Sequence, residues 1–236
     1  MKRPIPLYII TARGGSRGIP RKNVRPMAGR PLIAYTLDAA KEAQAQAGGY
    51  ILVSTDDTEI ADAARAEGVV VDYMRPAALG GDTVGSREVL LDAMGWASAQ
   101  GIAYDVVVLL QPTSPFRTGA DILQTLRLYA ASDDADMVVS VCESGSNPYF
   151  NLFETAADGT LHISKGDGLY TRRQDCPKVY EYNGAVYAIR PASLRAMPLG
   201  AFPRRLPYVM PPERSLDLDT PADWAVCEAM MLSLKK

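Results

Sequence analysis

The chain has 236 residues, 47% of them hydrophobic and 22% charged, and a formal net charge of −2 at pH 7. This length supports a substantial core in one domain, and the nearly neutral charge excludes a globally basic nucleic-acid-binding protein. Positive charge is concentrated at the start, because residues 1–37 contain eight Lys or Arg residues and no Asp or Glu, so we expect a local anion site there.

Strand and helix patterns alternate over the first 145 residues. Pro31 is expected in the first turn of the first helix, which Gly48 ends. Asp56 is predicted to cap the second helix because Glu59 follows three residues later. The predicted strands are PLYIIT, YILVST, VVVDYM, DVVVLLQ and DMVVSV, and the two later helices are residues 84–100 and ADILQTLRLYAAS. Apolar strands that alternate with amphipathic helices indicate a mostly parallel sheet covered on both faces.

This alternation stops after Val141. Residues 142–181 contain turn signals and scattered aromatic residues but no long helix pattern. They are therefore predicted to form an insert of short strands and loops within a single α/β domain of residues 1–236. The strand pattern returns in NGAVYAIR, and TPADWAVCEAMMLSLKK is predicted to be a closing helix with Pro221 in its first turn.

The stretch ARGGSRGIPRKN follows the first predicted strand, and ligands of open α/β sheets bind at the carboxyl ends of strands. It lacks both the P-loop and the G-x-G-x-x-G patterns. Gly14 and Gly15 nevertheless allow backbone N–H groups to approach an anion closely. A solvated basic turn is the alternative that spacing alone leaves open. The basic side chains predicted to surround phosphate oxygens are Arg13, Arg17, Arg21 and Lys22.

A second signal is the segment SLDLDTPADW, in which Asp217 and Asp219 alternate with leucines. This alternation predicts a short strand with both carboxylates on one face. Two adjacent aspartates repel when ionised, and Mg²⁺ relieves the repulsion because it binds a few carboxylates together with substrate phosphate oxygens. The alternative is that one aspartate caps the closing helix, a role that Thr220 or Asp223 could also fill.

A basic loop and a carboxylate pair together predict a site for a metal–triphosphate, which fits a nucleotidyltransferase. Catalysis in such an enzyme depends on positioning and charge neutralisation rather than on a covalent protein nucleophile. The composition agrees, because His162 is the only histidine and falls within the insert, so no Ser–His or Cys–His pair is predicted.

Three widely spaced cysteines, Cys142, Cys176 and Cys227, match neither a disulfide framework nor a zinc site and predict a reducing compartment. No apolar run approaches the ~20 residues needed to span a bilayer. The run PLYII is shorter than a signal-peptide core. The sequence therefore predicts a cytoplasmic protein that binds neither membrane nor nucleic acid.

Six segments occur in order along the chain: ARGGSRGIPRKN, STDDTEIADAA, RPAALGGDT, LLQPTSPFRT, RRQDCPKVYEYNGAVYAI and LDLDTPADW. Together they resemble the CMP-sialic acid synthetases, also called acylneuraminate cytidylyltransferases, and the resemblance spans Ile9 to Trp224. The resemblance implies a Rossmann-like nucleotide-diphospho-sugar transferase fold, with an inserted subdomain at residues 142–181 that mediates homodimerisation. It also implies Mg²⁺-dependent transfer of CMP from CTP to the anomeric hydroxyl of a nonulosonic acid, an N-acylneuraminate, with release of pyrophosphate.

The resemblance also implies roles for individual residues. The nucleotide positions are Ala12, Arg13, Gly14, Ser16, Arg17, Lys22, Asn23, Arg75 and Ser86, and the sugar positions are Gln111, Arg117, Arg173, Asn183 and Tyr187. The catalytic positions are Arg13, Arg17, Lys22, Asp217 and Asp219, of which the two aspartates bind Mg²⁺. Part of each sugar site is expected to come from the partner subunit.

Several alternatives stay open at this point. Gly18 favours a sialic or legionaminic acid, because relatives that act on pseudaminic acid commonly have a basic residue at this position. The sequence allows a CMP-legionaminic acid synthetase, a nucleotidyltransferase for another 2-keto acid sugar or for GTP, and a homologue that binds nucleotide without turnover. The base that accepts the anomeric proton is not identified, with Asp219 and a metal-bound water as candidates.

Overall fold

The computed structural model describes residues 3–16, 18–81 and 83–234. Ten strands and six α-helices are assigned within these ranges. In chain order they are β1 (Pro6–Thr11), β2 (Pro26–Met27), β3 (Arg30–Pro31), α1 (Leu32–Ala47), β4 (Tyr50–Ser54), α2 (Thr58–Ala66), α3 (Ser86–Ala99), β5 (Val106–Leu110), α4 (Gly119–Ala130), β6 (Met137–Glu143), β7 (Phe153–Thr155), β8 (Leu161–Ile163), β9 (Tyr180–Ile189), α5 (Pro191–Ala196), β10 (Arg205–Val209) and α6 (Pro221–Leu234).

A six-stranded sheet with the order β10–β6–β9–β5–β1–β4 forms the centre of the protein. All of its strands run in one direction except β9, which is antiparallel to both β5 and β6. One face is covered by a core that includes Ile33 of α1, Ile60 of α2 and Ile122 of α4. The other face packs on Leu90 of α3 and Leu194 of α5. The predicted mostly parallel sheet with helices on both faces is confirmed.

At one edge of the sheet a predicted strand is absent, and at the other edge a strand is present that was not predicted. The run VVVDYM at residues 69–74 forms no strand, although it follows α2 beside the edge strand β4. Its flanking backbone groups bond elsewhere, because Val69 N donates to Ala64 O and Arg75 N donates to Thr55 O. Conversely, β10 pairs in parallel with β6 at the opposite edge, where its charged and proline-containing sequence gave no strand signal.

Helix α2 is capped by Asp57 and not by the predicted Asp56. A carboxylate oxygen of Asp57 accepts the Ile60 N–H at 3.1 Å, which satisfies one of the unpaired donors of the first turn. Asp56 instead accepts the backbone N–H of Gly14 at 3.0 Å. The acid that was predicted to begin a helix therefore contacts the glycine-rich loop.

The insert lies between β6 and β9 and contains the short antiparallel pair β7–β8. His162, the histidine of the insert, is exposed in β8. Several large apolar side chains of the insert are solvent-exposed, including Leu161 and Leu169 at 67% and 77%. The boundaries of the insert at residues 142–181 and its role in pairing two copies stay predictions. No helix within the described ranges is long and apolar enough to cross a membrane.

The hydroxyl group of Tyr8 lies in the core on β1 and has no hydrogen-bond partner among the described residues. Burying a hydroxyl without a partner is unfavourable. Tyr8→Phe is therefore expected to leave the free energy of unfolding unchanged or raise it by about 1 kcal/mol in equilibrium denaturation. Tyr73→Phe is the matched control, since the Tyr73 hydroxyl donates to Asp92 and its removal is expected to lower stability. Equal losses for both variants would contradict this reading of Tyr8.

Candidate active site

A cavity of about 450 Å³ opens at the carboxyl ends of the parallel strands. Its walls come from the loop after β1, the segment that leads into α3, the loop after β5 and the segment just before α6. The lining residues that the sequence predicted are Arg13, Ser16, Lys22, Asn23, Arg75, Ser86, Gln111 and Asp219. Side chains from both ends of the chain therefore meet at one site.

The basic loop and the segment 216–219 lie against each other beside this cavity. Ile19 and Leu218 are both fully buried in one hydrophobic cluster, which joins the two segments from their apolar sides. On the polar side, Lys22 Nζ donates to the carbonyl oxygen of Leu218 and lies 3.6 Å from a carboxylate oxygen of Asp219. The two elements on which the phosphate prediction depends are thus neighbours.

Positive charge accumulates on one side of the cavity. Arg75 is buried there, and its guanidinium donates to the hydroxyl and carbonyl oxygens of Ser54 at 3.0 and 2.6 Å. Burial lowers the pKa of Arg75, and the positive charge of Arg13 contributes to the lowering. An anion that lies near both arginines would relieve their repulsion, so this wall suits a phosphate group.

Asp217 and Asp219 are not in a strand, contrary to the prediction. Their segment passes the end of the sheet and bonds to the loop after β5, where Leu218 N donates to Thr113 O at 2.9 Å. Leu218 is fully buried, so the aspartates on either side of it remain at the surface. Crowding by protein atoms raises the pKa of Asp217, and the negative charge of Asp219 raises it further. A hydrogen bond from Thr113 acts in the opposite direction and lowers the pKa.

Neither of these aspartate side chains caps α6, so the capping alternative is wrong. Thr220 and Asp223 form the cap, because the Asp223 carboxylate accepts the Thr220 N–H at 2.7 Å and the Thr220 hydroxyl accepts the Asp223 N–H at 3.2 Å. No cluster of three or more His, Cys, Asp or Glu side chains suited to a metal ion occurs within the described ranges. Two carboxylates beside a basic cavity still suit Mg²⁺, since this ion binds a few carboxylates together with phosphate oxygens and water.

Three predicted nucleotide positions hold the backbone of the basic loop through hydrogen bonds. Ala12 is buried and donates its N–H to Ser54 O at 2.9 Å, while the Asn23 side chain donates to Arg13 O at 3.0 Å. The N–H of Gly14 is bonded to Asp56, as described above. Arg17 lies outside the described residues.

Arg21 was also predicted beside the phosphates, but the structure gives it another partner. Its guanidinium binds the carboxylates of Asp57 and Glu59, and Arg21 is not among the residues that line the cavity. Of the four basic side chains predicted around phosphate, Arg13 and Lys22 line the cavity.

The sequence of this α/β domain matches a known family over most of its length, because residues 7–218 match the cytidylyltransferase family. The chain belongs to this family. It is 32% identical to a CMP-N,N'-diacetyllegionaminic acid synthase of Legionella pneumophila over 228 residues, which are 95% of either chain. It is 35% identical to an N-acylneuraminate cytidylyltransferase of Streptococcus agalactiae over 221 residues, which are 93% of this chain and 51% of that relative.

Comparison with solved structures supports the same fold. The chain superimposes on a CMP:2-keto-3-deoxy-manno-octonic acid synthetase complexed with CTP with a TM-score of 0.70, covering 98% of this chain and 99% of the other at 19% identity. The predicted nucleotidyltransferase fold of a cytidylyltransferase is therefore confirmed.

The residues predicted to bind sugar are dispersed in this cytidylyltransferase. Gln111 lines the cavity, whereas Arg173 lies on a groove of the insert, beside Glu143 and Lys178. Tyr187 is half-buried on β9, where burial raises its pKa to about 12 and the charge of Asp217 contributes.

Arg117 and Asn183 lie inside the protein and do not line the cavity. The Arg117 guanidinium donates to Ala185 O, Thr36 Oγ1 and Gln111 O, and complete burial lowers its pKa to about 9. The Asn183 side chain accepts from Ser140 Oγ at 2.6 Å and donates to Ser215 Oγ at 2.9 Å. Arg117 therefore supports the backbone of Gln111, and Asn183 supports the segment that leads to Asp217.

Sequence reasoning passed over other members of the site. Thr113 lines the cavity, and its carbonyl oxygen holds the segment of Asp217 and Asp219. Its position in QPTSPFR, immediately after a strand, was the available signal. The remaining lining residues are Thr11, Gly18, Leu79, Gly81, Val84, Val89 and Pro112.

Proposed function

We propose that this chain transfers CMP from CTP to the anomeric hydroxyl of a nonulosonic acid and releases pyrophosphate. The observation that carries the proposal is the meeting of Arg13 and Lys22 with Asp219 at one cavity, with Asp217 two residues from Asp219 on the same segment. This charge arrangement suits a triphosphate that carries a divalent cation. The named activities of the two relatives favour an N-acylneuraminate as acceptor, with N,N'-diacetyllegionaminate as the alternative.

The proposed roles follow from position. Arg13 and Lys22 line the cavity and stabilise the negative charge that develops on the departing pyrophosphate. The same role is proposed for Arg17 from its place in the basic loop of the sequence alone. Arg75 and Ser86 contact the nucleoside, and Gln111 orients the acceptor sugar, since all three line the cavity. Binding both substrates in one cavity places the anomeric hydroxyl close to the α-phosphate, which raises the rate because the reaction becomes effectively intramolecular.

Mg²⁺ is the proposed cofactor, held by Asp217 and Asp219. When bound it supplies Lewis-acid neutralisation of the triphosphate. The two carboxylates fit this ion because they lie close enough for the charge of Asp219 to raise the pKa of Asp217. A cation is the natural way to relieve that repulsion.

We also propose that two copies pair through the insert in a reducing cytoplasm. Large exposed apolar side chains on the insert support pairing, since such patches commonly mark interfaces. The cysteines are free thiols, in keeping with a reducing compartment. Sedimentation equilibrium should give twice the chain mass, and Leu169→Asp should shift it toward the monomer.

Pyrophosphate release tests the function directly. The purified protein is incubated with each of the four nucleoside triphosphates and a panel of nonulosonic acids, with and without Mg²⁺. We expect release only with CTP, Mg²⁺ and an N-acylneuraminate or a legionaminic acid. Dependence on GTP would indicate another nucleotidyltransferase, and CTP binding with no turnover for any acceptor would indicate a binding homologue.

A further inference from the structure

The acidic segment that follows β4 contacts the basic loop at several points. Asp57 receives two hydrogen bonds from the Arg21 guanidinium, at 2.5 and 3.1 Å, and Glu59 receives another. One residue earlier, Asp56 accepts the Gly14 N–H. These contacts join residues far apart in sequence, at the beginning and the end of the basic loop.

The backbone of the loop is shaped to fit Asp57. A side chain at Gly14 would place its Cβ atom 2.6 Å from a carboxylate oxygen of Asp57, which is closer than real atoms approach. Arg21 has a φ of 55°, a left-handed conformation that is unusual for a residue other than glycine. Such a conformation persists where surrounding contacts hold it, and the bonds to Asp57 and Glu59 are contacts of this kind.

Asp57 and Glu59 are acidic residues near the proposed phosphate site, and unpaired negative charges there would repel the ligand. The Asp57 carboxylate is not unpaired, because both of its oxygens bind other groups of the protein. It caps α2 through the Ile60 N–H and binds Arg21 with both oxygens. The hydrogen bond from Arg21 lowers the pKa of Asp57, so the carboxylate stays ionised at neutral pH.

We propose that Asp57 is a positioning residue for the triphosphate site, which acts by binding Arg21 and packing against Gly14, at the two ends of the basic loop. The proposal rests on the proposed function, since that loop carries Arg13, Ser16 and Lys22 into the cavity. Asp57 itself does not line the cavity, and neither does Arg21. Their ion pair determines where the phosphate-binding groups stand before the nucleotide arrives.

An exposed ion pair by itself contributes little to stability, and Arg21 is partly exposed, with a side-chain exposure of 44%. Two features raise the importance of this pair: the contact is bidentate, and it belongs to a network that includes Glu59. Its main effect is expected on binding, because a loop that is already ordered loses less entropy when the ligand binds.

The test measures the dissociation constant of Mg²⁺–CTP by calorimetry, without acceptor sugar, for Asp57→Asn, Arg21→Ala and the double variant. Asn retains an oxygen that caps α2, so the fold is expected to survive. We expect each single variant to weaken binding about tenfold, and the double variant to be no weaker than either. Melting temperatures are recorded in parallel, and they should change little.

Two further variants complete the test. Asp62→Asn is the matched control, since Asp62 pairs with Arg65 at 2.8 Å on the same helix without touching the loop, and wild-type affinity is expected. Arg21→Gly permits the left-handed backbone but removes the ion pair, so it should bind as weakly as Arg21→Ala. Wild-type affinity in Asp57→Asn or Arg21→Gly, or losses that multiply in the double variant, would overturn the proposal. Failure of the wild-type protein to bind CTP would instead refute the proposed function.

Discussion

Asp217→Ala is expected to reduce pyrophosphate release by about three orders of magnitude, because it removes one of the two carboxylates proposed to hold Mg²⁺. The fold should remain intact. Crowding by protein atoms and, to a smaller extent, the charge of Asp219 raise the pKa of Asp217, so its ionised form is disfavoured in the folded protein. A carboxylate in that position destabilises the folded state at neutral pH, so its removal should leave the melting temperature unchanged or higher.

The measurement combines steady-state turnover over a range of Mg²⁺ concentrations with thermal denaturation. Asp217→Asn should behave in the same way, since it keeps the size of the side chain but loses the charge. Asp134→Ala is a suitable control, because Asp134 pairs with Arg204 at 2.8 Å and does not line the cavity. Pyrophosphate release at the wild-type rate in Asp217→Ala would remove the metal-binding role from this residue.

The second large effect is expected for Gly18→Ala. A Cβ atom at Gly18 would lie 2.0 Å from the backbone carbonyl oxygen of Asp219, and neither backbone can move aside without separating the basic loop from the segment 216–219. Close to Gly18, Ile19 packs in the same cluster as Leu218, and Lys22 donates to the carbonyl oxygen of Leu218, so the two segments are held together. A displacement of about 1 Å in a catalytic site can reduce the rate by about 100-fold, and we expect a loss of that size in kcat/KM for CTP.

Gly95→Ala gives the matched comparison. Gly95 lies on an exposed face of α3, and an added Cβ atom there meets nothing within 4 Å. That variant should keep full activity and gain slightly in stability, because alanine favours the helix by about 1 kcal/mol relative to glycine. Equal activity of the two variants would show that the close approach at Gly18 is not required.

The buried strands and the closing helix could be predicted from the sequence because their signals are local. β1 and β5 are continuous apolar runs, and Pro221 together with the Thr220–Asp223 pair begins α6 through contacts within one turn. VVVDYM carries the same apolar signal but does not pair with the neighbouring edge strand β4, so it remains irregular. Strand formation depends on a partner that is distant in sequence. At the other edge of the sheet, β10 has a weak strand signal but forms a strand because it pairs with β6.

The site residues also divide into those whose role the sequence predicted and those whose role only the structure showed. Arg13, Lys22 and Asp219 were predicted to act together, and they meet at one cavity. Arg117 and Asn183 occupy equally polar motifs, but they are buried and their hydrogen bonds go to other protein groups. A sequence motif records which residue types a site requires, and it does not separate a residue that touches the ligand from one that supports it.

The sequence by itself determined the chemistry of this protein: an α/β sheet, a basic glycine-rich loop, an aspartate pair and membership of the cytidylyltransferase family. Only the tertiary structure decided which charges face the cavity. Asp57 and Arg21 form an ion pair outside the cavity lining, while Lys22 and Asp219 pair within it. The physical reason is that a charge acts through its distance to other charges and its exposure to water, and both are set when segments remote in sequence pack together.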